Sequence, residues 1–346
     1  MTGEATRAGQ AAPAEREASA ARRLSAVLPT VRAFAIGMPV RFRGVAVREG
    51  ALIEGPAGWG EFSPFAEYGP RECARWLACA LEAACAGWPA PVRDRVGVNV
   101  TVPAVSPRRA HEIAGRSGCR TAKVKVAEPG QDGADDVARV AAVRDALGPG
   151  GRIRVDANGG WDEDQAADML ARLDPFGLEY AEQPCASLPE LARLRRRVSV
   201  PLAADESVRR AEDPLKVRAA GAADIVVLKV QPLGGVAAAL RVARACGLPV
   251  VVSSAVETSV GLAAGVALAA ALPELRYDCG LATMSLLAGD VTAEPLAASG
   301  GYLPVRAARP DPERLSAWEA DPAPWIARMR ATAAYLDGPA SPGGLA

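Results

Sequence analysis

Eight short apolar runs recur along this chain at intervals of about 22–31 residues, and that period constrains the architecture more than any other feature. They read VGVNVTVPA (96–104), TAKVKVAE (121–128), RIRVDANGG (152–160), LEYAEQP (178–184), VPLAADES (200–207), DIVVLKVQ (224–231), LPVVVSSAVET (248–258) and LRYDCGLAT (275–283). Amphipathic stretches of helical length, such as GADDVARVAAVRDALG, lie between them. Each interval fits one strand, one helix and two loops. Runs rich in Val and Ile with little alternation are strands buried on both faces, which is the mark of a parallel sheet. Eight such units predict an α/β protein whose strands close into a (β/α) barrel covered by helices. A doubly wound open sheet is the competing architecture, and the lack of a GxGxxG turn counts against it.

The remaining chain divides around this barrel. Residues 25–92 read as a small α+β domain: VRAFAI, FRGVAVREGALIEG and GWGEF alternate as strands do, and PRECARWLACALEAACAG reads as a helix. The barrel is expected over 93–305. Residues 306–346 are expected to pack against the small domain and then fray. Residues 1–24, rich in Ala, Arg and Glu, lack the apolar stretch of a secretory signal and are expected to be a disordered tail.

Composition excludes several chemistries. Lys+Arg and Asp+Glu each total 40, so neither nucleic acid nor an anionic membrane is indicated as a partner. A membrane-spanning apolar run is lacking. Seven Cys without a CxxC argue against a disulfide framework or zinc site, and for a reducing cytoplasm. Cys73, Cys79 and Cys85 read as small core residues. The single His, His111, sits in RRAHEIA and reads as a helix-surface residue, so a His-rich metal site is excluded.

Barrel strands present their carboxyl ends to the active site. Three consecutive runs end in an acid there: Asp156, Glu182 and Asp205, spaced 26 and 23 residues apart. Three negative charges on one rim repel and raise one another's pKa unless a cation joins them. Oxygen donors suit Mg²⁺, and Mn²⁺ equally. The bland alternative is that Asp156 and Asp205 cap the helices that follow them. Lys123 and Lys125 lie two apart on the preceding strand, so both face inward. Lys229 ends the strand after Asp205. Lysines buried beside other cations have a lowered pKa and can act as bases, although simple pairing with the acids is the alternative. A cation that holds an enediolate, with a lysine on each side, suits removal of a proton next to a carboxylate.

KVK, DANGGW, EQP, ADES, KVQPLGG and SSAVETSVG, in this order, resemble the muconate-lactonizing branch of the enolase superfamily across roughly residues 31–305. The resemblance implies a modified TIM barrel whose N-terminal α+β domain caps the mouth and helps select a small-molecule carboxylate substrate. A lysine base paired with Mg²⁺ is established for that superfamily. Carried over, Lys125 is the base, Lys229 stabilises the enediolate from the opposite face, and Lys123 tunes Lys125. Asp156, Glu182 and Asp205 match the metal ligands, with Asn158 and Glu206 beside them. Ser253, Ser254 and Glu257 at the seventh strand end, and Gly37 and Arg43 in the small domain, are candidate substrate contacts. For the serines, bonding to their own loop is the alternative.

RFRGVAVREG, GWGEFSPFAEY, NVTVPAV and CGLATMSLLAGDV are further similar to dehydratases of that branch, which implies a syn dehydration of a hydroxycyclohexadiene carboxylate. Racemisation of an N-acylamino acid or dipeptide uses the same lysine pair and remains the rival. A Schiff-base aldolase using Lys229 would need no acid triad, and a non-catalytic barrel would need no lysines. Monomer and homo-oligomer both remain open.

Overall fold

The computed structural model describes residues 13–42, 44–208 and 213–336, with backbone alone for residues 13–19, 41 and 42. Helix α1 (Pro13–Val27) leads into an antiparallel meander of β1 (Arg32–Phe42), β2 (Val45–Gly55) and β3 (Gly58–Phe62). Helix α2 (Pro70–Cys85) packs across it. Pro70 occupies its first turn, and Glu72 accepts the Gly69 N–H. Cys73, Trp76, Leu77, Ala80, Leu81 and Ala84 form its buried stripe. Gly60 of β3 lies so near the Ala80 backbone that a Cβ there would overlap it. That close approach is why β3 carries glycine at that point.

The barrel follows as alternating elements. They are β4 (Arg95–Gly97), β5 (Val100–Val102), α3 (Pro107–Arg116), β6 (Thr121–Lys125), α4 (Gly133–Leu147), β7 (Arg152–Asp156) and α5 (Glu163–Leu173). Next come β8 (Leu178–Glu182), α6 (Leu188–Leu194), β9 (Leu202–Ala204), α7 (Asp213–Ala219), β10 (Ile225–Lys229), α8 (Val230–Leu233) and α9 (Val236–Cys246). The last units are β11 (Val250–Ser253) and α10 (Ser259–Ala271). Strands β5 to β11 form one parallel sheet in sequence order. The eighth run closes the ring through two bridges, Val98 to Cys279 and Ser253 to Gly280. A single 3₁₀ turn, Met284–Leu286, then takes the place where an eighth barrel helix would start.

The rest of the chain returns to the cap. β12 (Tyr302–Pro304) pairs with β4, and α11 (Pro312–Ser316) precedes β13 (Glu319–Ala320), which pairs with β1. In α12 (Ala323–Ala333), Arg328 donates to the carbonyls of Pro64, Phe65 and Tyr68.

The N-terminal expectation needs correction. Residues 1–12 lie outside the described residues, and from residue 13 the expected tail is helical: α1 crosses the boundary at 24, and Leu24 and Val27 sit in the cap core with Trp76 and Leu77. Sequence alone hid this because an Ala/Arg/Glu helix is stabilised by the surface it packs on. The expected fraying at the C-terminus concerns residues 337–346, which lie outside the described residues. Among the described residues, no helix is long and apolar enough to cross a membrane.

Candidate active site

Parallel register brings the polar strand ends together. Lys125 lies beside Asp156, and Asp156 beside Glu182, across β6, β7 and β8. Asp205 directly follows β9, and Lys229 ends β10. All five side chains, with Lys123, are less than 10% exposed, at the carboxyl rim of the barrel. The Asp156 and Asp205 carboxylates turn to lysines, while Ser106, Asp132, Asp162, Ser187 and Thr258 cap α3, α4, α5, α6 and α10.

The lysines thread between the acids. Lys123 Nζ lies 2.9 Å from Glu182 Oε1 and 3.0 Å from Asp156 Oδ2. Lys125 Nζ lies 2.6 Å from Asp156 Oδ2 and donates to Asn158 Oδ1 at 2.7 Å. Lys229 Nζ pairs with both oxygens of Asp205. Asn158 also donates to Glu206 Oε1 at 3.3 Å. Among the described residues, no three acidic, His or Cys side chains already converge on one point. The carboxylates turn to the ammonium groups instead.

These charges shape one another. Burial pushes the Glu182 carboxyl up to about 7, and the Asp156 carboxylate adds to that rise against the pull of Lys123. Asp156 is held well below the usual carboxylate range, because Lys123 and Lys125 outweigh its burial. Lys125 is lowered from 10.5 by burial and by the Lys123 ammonium, with Asp156 opposing. Lys123 is raised: burial lowers it, and the carboxylates of Asp156, Glu182 and Asp205 outweigh burial. The pair therefore differs in the sense base chemistry needs, with Lys125 the easier to deprotonate. The donor set fits a hard divalent cation. It consists of three buried carboxylates on neighbouring strands, and Glu182 resists a full third negative charge without further positive charge.

The rim is also where the backbone is strained. Ala127, Asn158, Gln183 and Val256 have positive φ, from +39° to +63°, and each lies within about three residues of the carboxyl end of a barrel strand. Gln183 was not singled out from sequence. Its Oε1 accepts the backbone N–H groups of Asp205 and Ser207, and its Nε2 donates to Ser207 Oγ. It thereby fixes the Asp205 turn. EQP carried that residue in plain view, but a glutamine after a metal-type acid has no distinctive charge.

The substrate candidates divide. Ser254 lines a small cavity beside Lys229, yet its hydroxyl is engaged by Glu257, Thr283 and the Val256 N–H. Glu257 also accepts the Ala255 N–H, so this loop satisfies itself. Ser253 sits at the barrel seam against Gly280. The Gly37 carbonyl accepts the Ala288 N–H. Arg43 lies outside the described residues. His111 pairs with Asp145 on the helix surface at 3.1 Å.

Comparison with known proteins agrees across both parts. The family described as enolase C-terminal domain-like matches residues 106–310, and its N-terminal counterpart matches 33–84. An o-succinylbenzoate synthase from Thermobifida fusca is 69% identical over 305 residues, covering 88% of this chain and 96% of that protein. One from Mycolicibacterium smegmatis is 56% identical over 319 residues, covering 90% and 98%. The chain belongs to the o-succinylbenzoate synthase family of the enolase superfamily. Solved structures of similar fold include the L-Ala-D/L-Glu epimerase from Bacillus subtilis, with a TM-score of 0.69 at 23% identity over 81% of this chain and 96% of that one. An N-succinyl Arg/Lys racemase from Bacillus cereus gives 0.72 at 19% identity, covering 84% and 97%. Those two establish the fold only.

Proposed function

We propose that this chain dehydrates 2-succinyl-6-hydroxy-2,4-cyclohexadiene-1-carboxylate to o-succinylbenzoate, as a hydro-lyase on the route to menaquinone, in the cytoplasm. The carrying observation is the 69% identity to a synthase of that name over cap and barrel together. The lysine pair alone serves racemisation equally well.

Asp156, Glu182 and Asp205 are the residues that would hold Mg²⁺, with Mn²⁺ chemically equivalent there. Bound there, the cation supplies a fixed positive charge for the substrate carboxylate as negative charge grows on it. Neutral Lys125 takes the proton from C1. The electron pair of that C–H bond first passes into the substrate carboxylate, then returns to form the C1–C6 double bond as the C6–O bond breaks. Lys125, now an ammonium, returns its proton to the departing hydroxyl on the same face, and water leaves. Asn158 and Asp156 hold Lys125 Nζ in place for both transfers. Lys229 stands at the other end of the acid row and stabilises the developing charge from there. The ring becomes aromatic, so the second half of the reaction runs strongly downhill.

The test is turnover of the cyclohexadiene substrate with Mg²⁺ by the intact chain and by Lys125→Ala. We expect turnover that needs the metal and falls by about 10²–10⁴-fold or more in the variant. Absence of turnover in the intact, metal-supplied chain would reject the dehydration and favour the racemase.

A further inference from the structure

The loop after β11 forms one wall of the cavity beside Lys229, and the cap grips that loop from outside. The cavity measures about 40 Å³ and is lined by Arg48, Phe65 and Trp76 from the cap and by Lys229, Ser254 and Val256 from the barrel. Arg48 Nε donates to the Val256 carbonyl at 3.0 Å. Its Nη2 reaches the Ser63 carbonyl and donates to Ser63 Oγ at 3.0 Å, and its guanidinium lies 4.7 Å from the centre of the Phe65 ring. Ser63 Oγ donates to Glu61 Oε1 at 2.6 Å. Glu61 Oε2 then accepts the N–H groups of Thr258 and Gly261, each at 3.1 Å, and the Thr258 hydroxyl at 2.5 Å.

Arg48, Glu61 and Ser63 are each no more than 3% exposed. The middle of the loop and its α10 end are therefore held by cap side chains: the Val256 carbonyl by a cation, and the first turn of α10 by a carboxylate. At the first of these holds, Val256 has φ +63°, a conformation a β-branched residue adopts only when its surroundings impose it. Gly261 completes the fit. A Cβ there would come within 2.8 Å of the Glu61 carboxyl carbon and of Glu257 Cβ.

We infer that Arg48, Ser63 and Glu61 form a buried relay through which the cap sets the shape of the Ser254–Thr258 loop, and so the fit of substrate beside Lys229. They are positioning residues and take no part in the proton transfers. The relay rests on the proposed dehydration for its kinetic consequence, while its structural consequence stands without it. A second carboxylate of the cap supplies the contrast. Glu82 of α2 accepts the N–H groups of Val236 and Ala237 at the start of α9, and it does not line this cavity. It docks the cap on the barrel without touching the loop.

The experiment compares Glu61→Leu, Glu61→Gln, Arg48→Met and Glu82→Gln in the full chain with Mg²⁺. It measures steady-state kinetics and hydrogen exchange of the 254–262 segment. We expect Glu61→Leu and Arg48→Met to raise KM about tenfold or more with kcat within about threefold. Exchange protection should fall locally over 254–262. Glu61→Gln, which keeps an acceptor, should show a smaller rise in both readouts, and it carries the test if the leucine variant does not fold. Glu82→Gln should leave KM and the 254–262 segment unchanged. Unaltered KM and protection in the Glu61 and Arg48 variants would overturn the relay. So would an equal KM rise in Glu82→Gln, because cap docking in general would then be the cause. If the unsubstituted chain has no turnover, the dehydration reading fails on its own, and local loss of protection in Glu61→Leu but not in Glu82→Gln still decides the relay.

Discussion

Glu61 shows how much a single buried carboxyl can do away from the reacting atoms. Burial pushes it up to about 7, while Ser63, Thr258 and the Arg48 charge pull it down and Glu257 adds to the rise. In the unfolded chain the same carboxyl titrates near 4.5. Between those two values the unfolded chain has lost the proton and the folded protein keeps it. The group's contribution is therefore complete below pH 4.5 and declines as pH rises towards 7. That decline is on the order of 3 kcal/mol. Glu61→Gln cannot titrate, so its stability relative to the unsubstituted protein should rise by that order across the interval. Urea unfolding at pH 4.5, 6 and 8 reads this directly, and parallel stability curves for the two proteins would refute it. Sequence reasoning missed Glu61 and Arg48 because their roles depend on partners about 200 positions away. By contrast, the gathering of Asp156, Glu182, Asp205 and the three lysines at one rim of the barrel was legible. A charged residue that closes an apolar strand is costly anywhere except at a site, and six in consecutive units leave few alternatives.

At the level of elements, the barrel strands were readable because parallel strands are apolar on both faces and recur with the length of a helix and two loops. Five of the expected runs match β6, β7, β8, β10 and β11 closely. The eighth run was readable only as a strand position. Its pairing is reduced to Cys279 and Gly280, whose bridges reach across the seam, and local sequence does not reveal how many ladder bonds a strand will make. Helix α1 was missed for a related reason: it has the composition of a solvated tail, and its order comes from Leu24 and Val27 entering the cap core. β3 approaches α2 closely at Gly60, and that approach predicts a large effect from a small change. Gly60→Ala places a methyl against the Ala80 backbone, which cannot rotate aside as a flexible side chain would. Strand and helix must separate, at a cost of about 1–3 kcal/mol or more. Chemical denaturation of Gly60→Ala should show the loss. Unchanged stability would mean that β3 and α2 do not pack backbone to backbone at Gly60.

Across the whole molecule, cap and barrel are joined by charged cap side chains on barrel backbone groups at the mouth and by the C-terminal segment, so the site and the overall stability are coupled. The acid row is neutralised in this structure by lysine ammonium groups: Lys123 and Lys125 hold Asp156, Lys123 holds Glu182, and Lys229 holds Asp205. A cation that binds there enters a folded site whose three carboxylates the unfolded chain does not bring together. It must therefore stabilise the fold by mass action, about 2.7 kcal/mol when the free ion stands at 100 times its dissociation constant. Chelator-stripped protein should melt lower than the same protein with Mg²⁺, and the gain should grow with the logarithm of the Mg²⁺ concentration. Asp156→Asn removes one donor and the partner shared by Lys123 and Lys125, so in that variant Mg²⁺ should no longer raise the melting temperature. Calorimetry on the two proteins with and without Mg²⁺ separates the possibilities. A rise of equal size in both would place the ion elsewhere on the molecule, and no rise in the unsubstituted protein would mean that the lysines keep the carboxylates and the acid row holds no cation at that concentration.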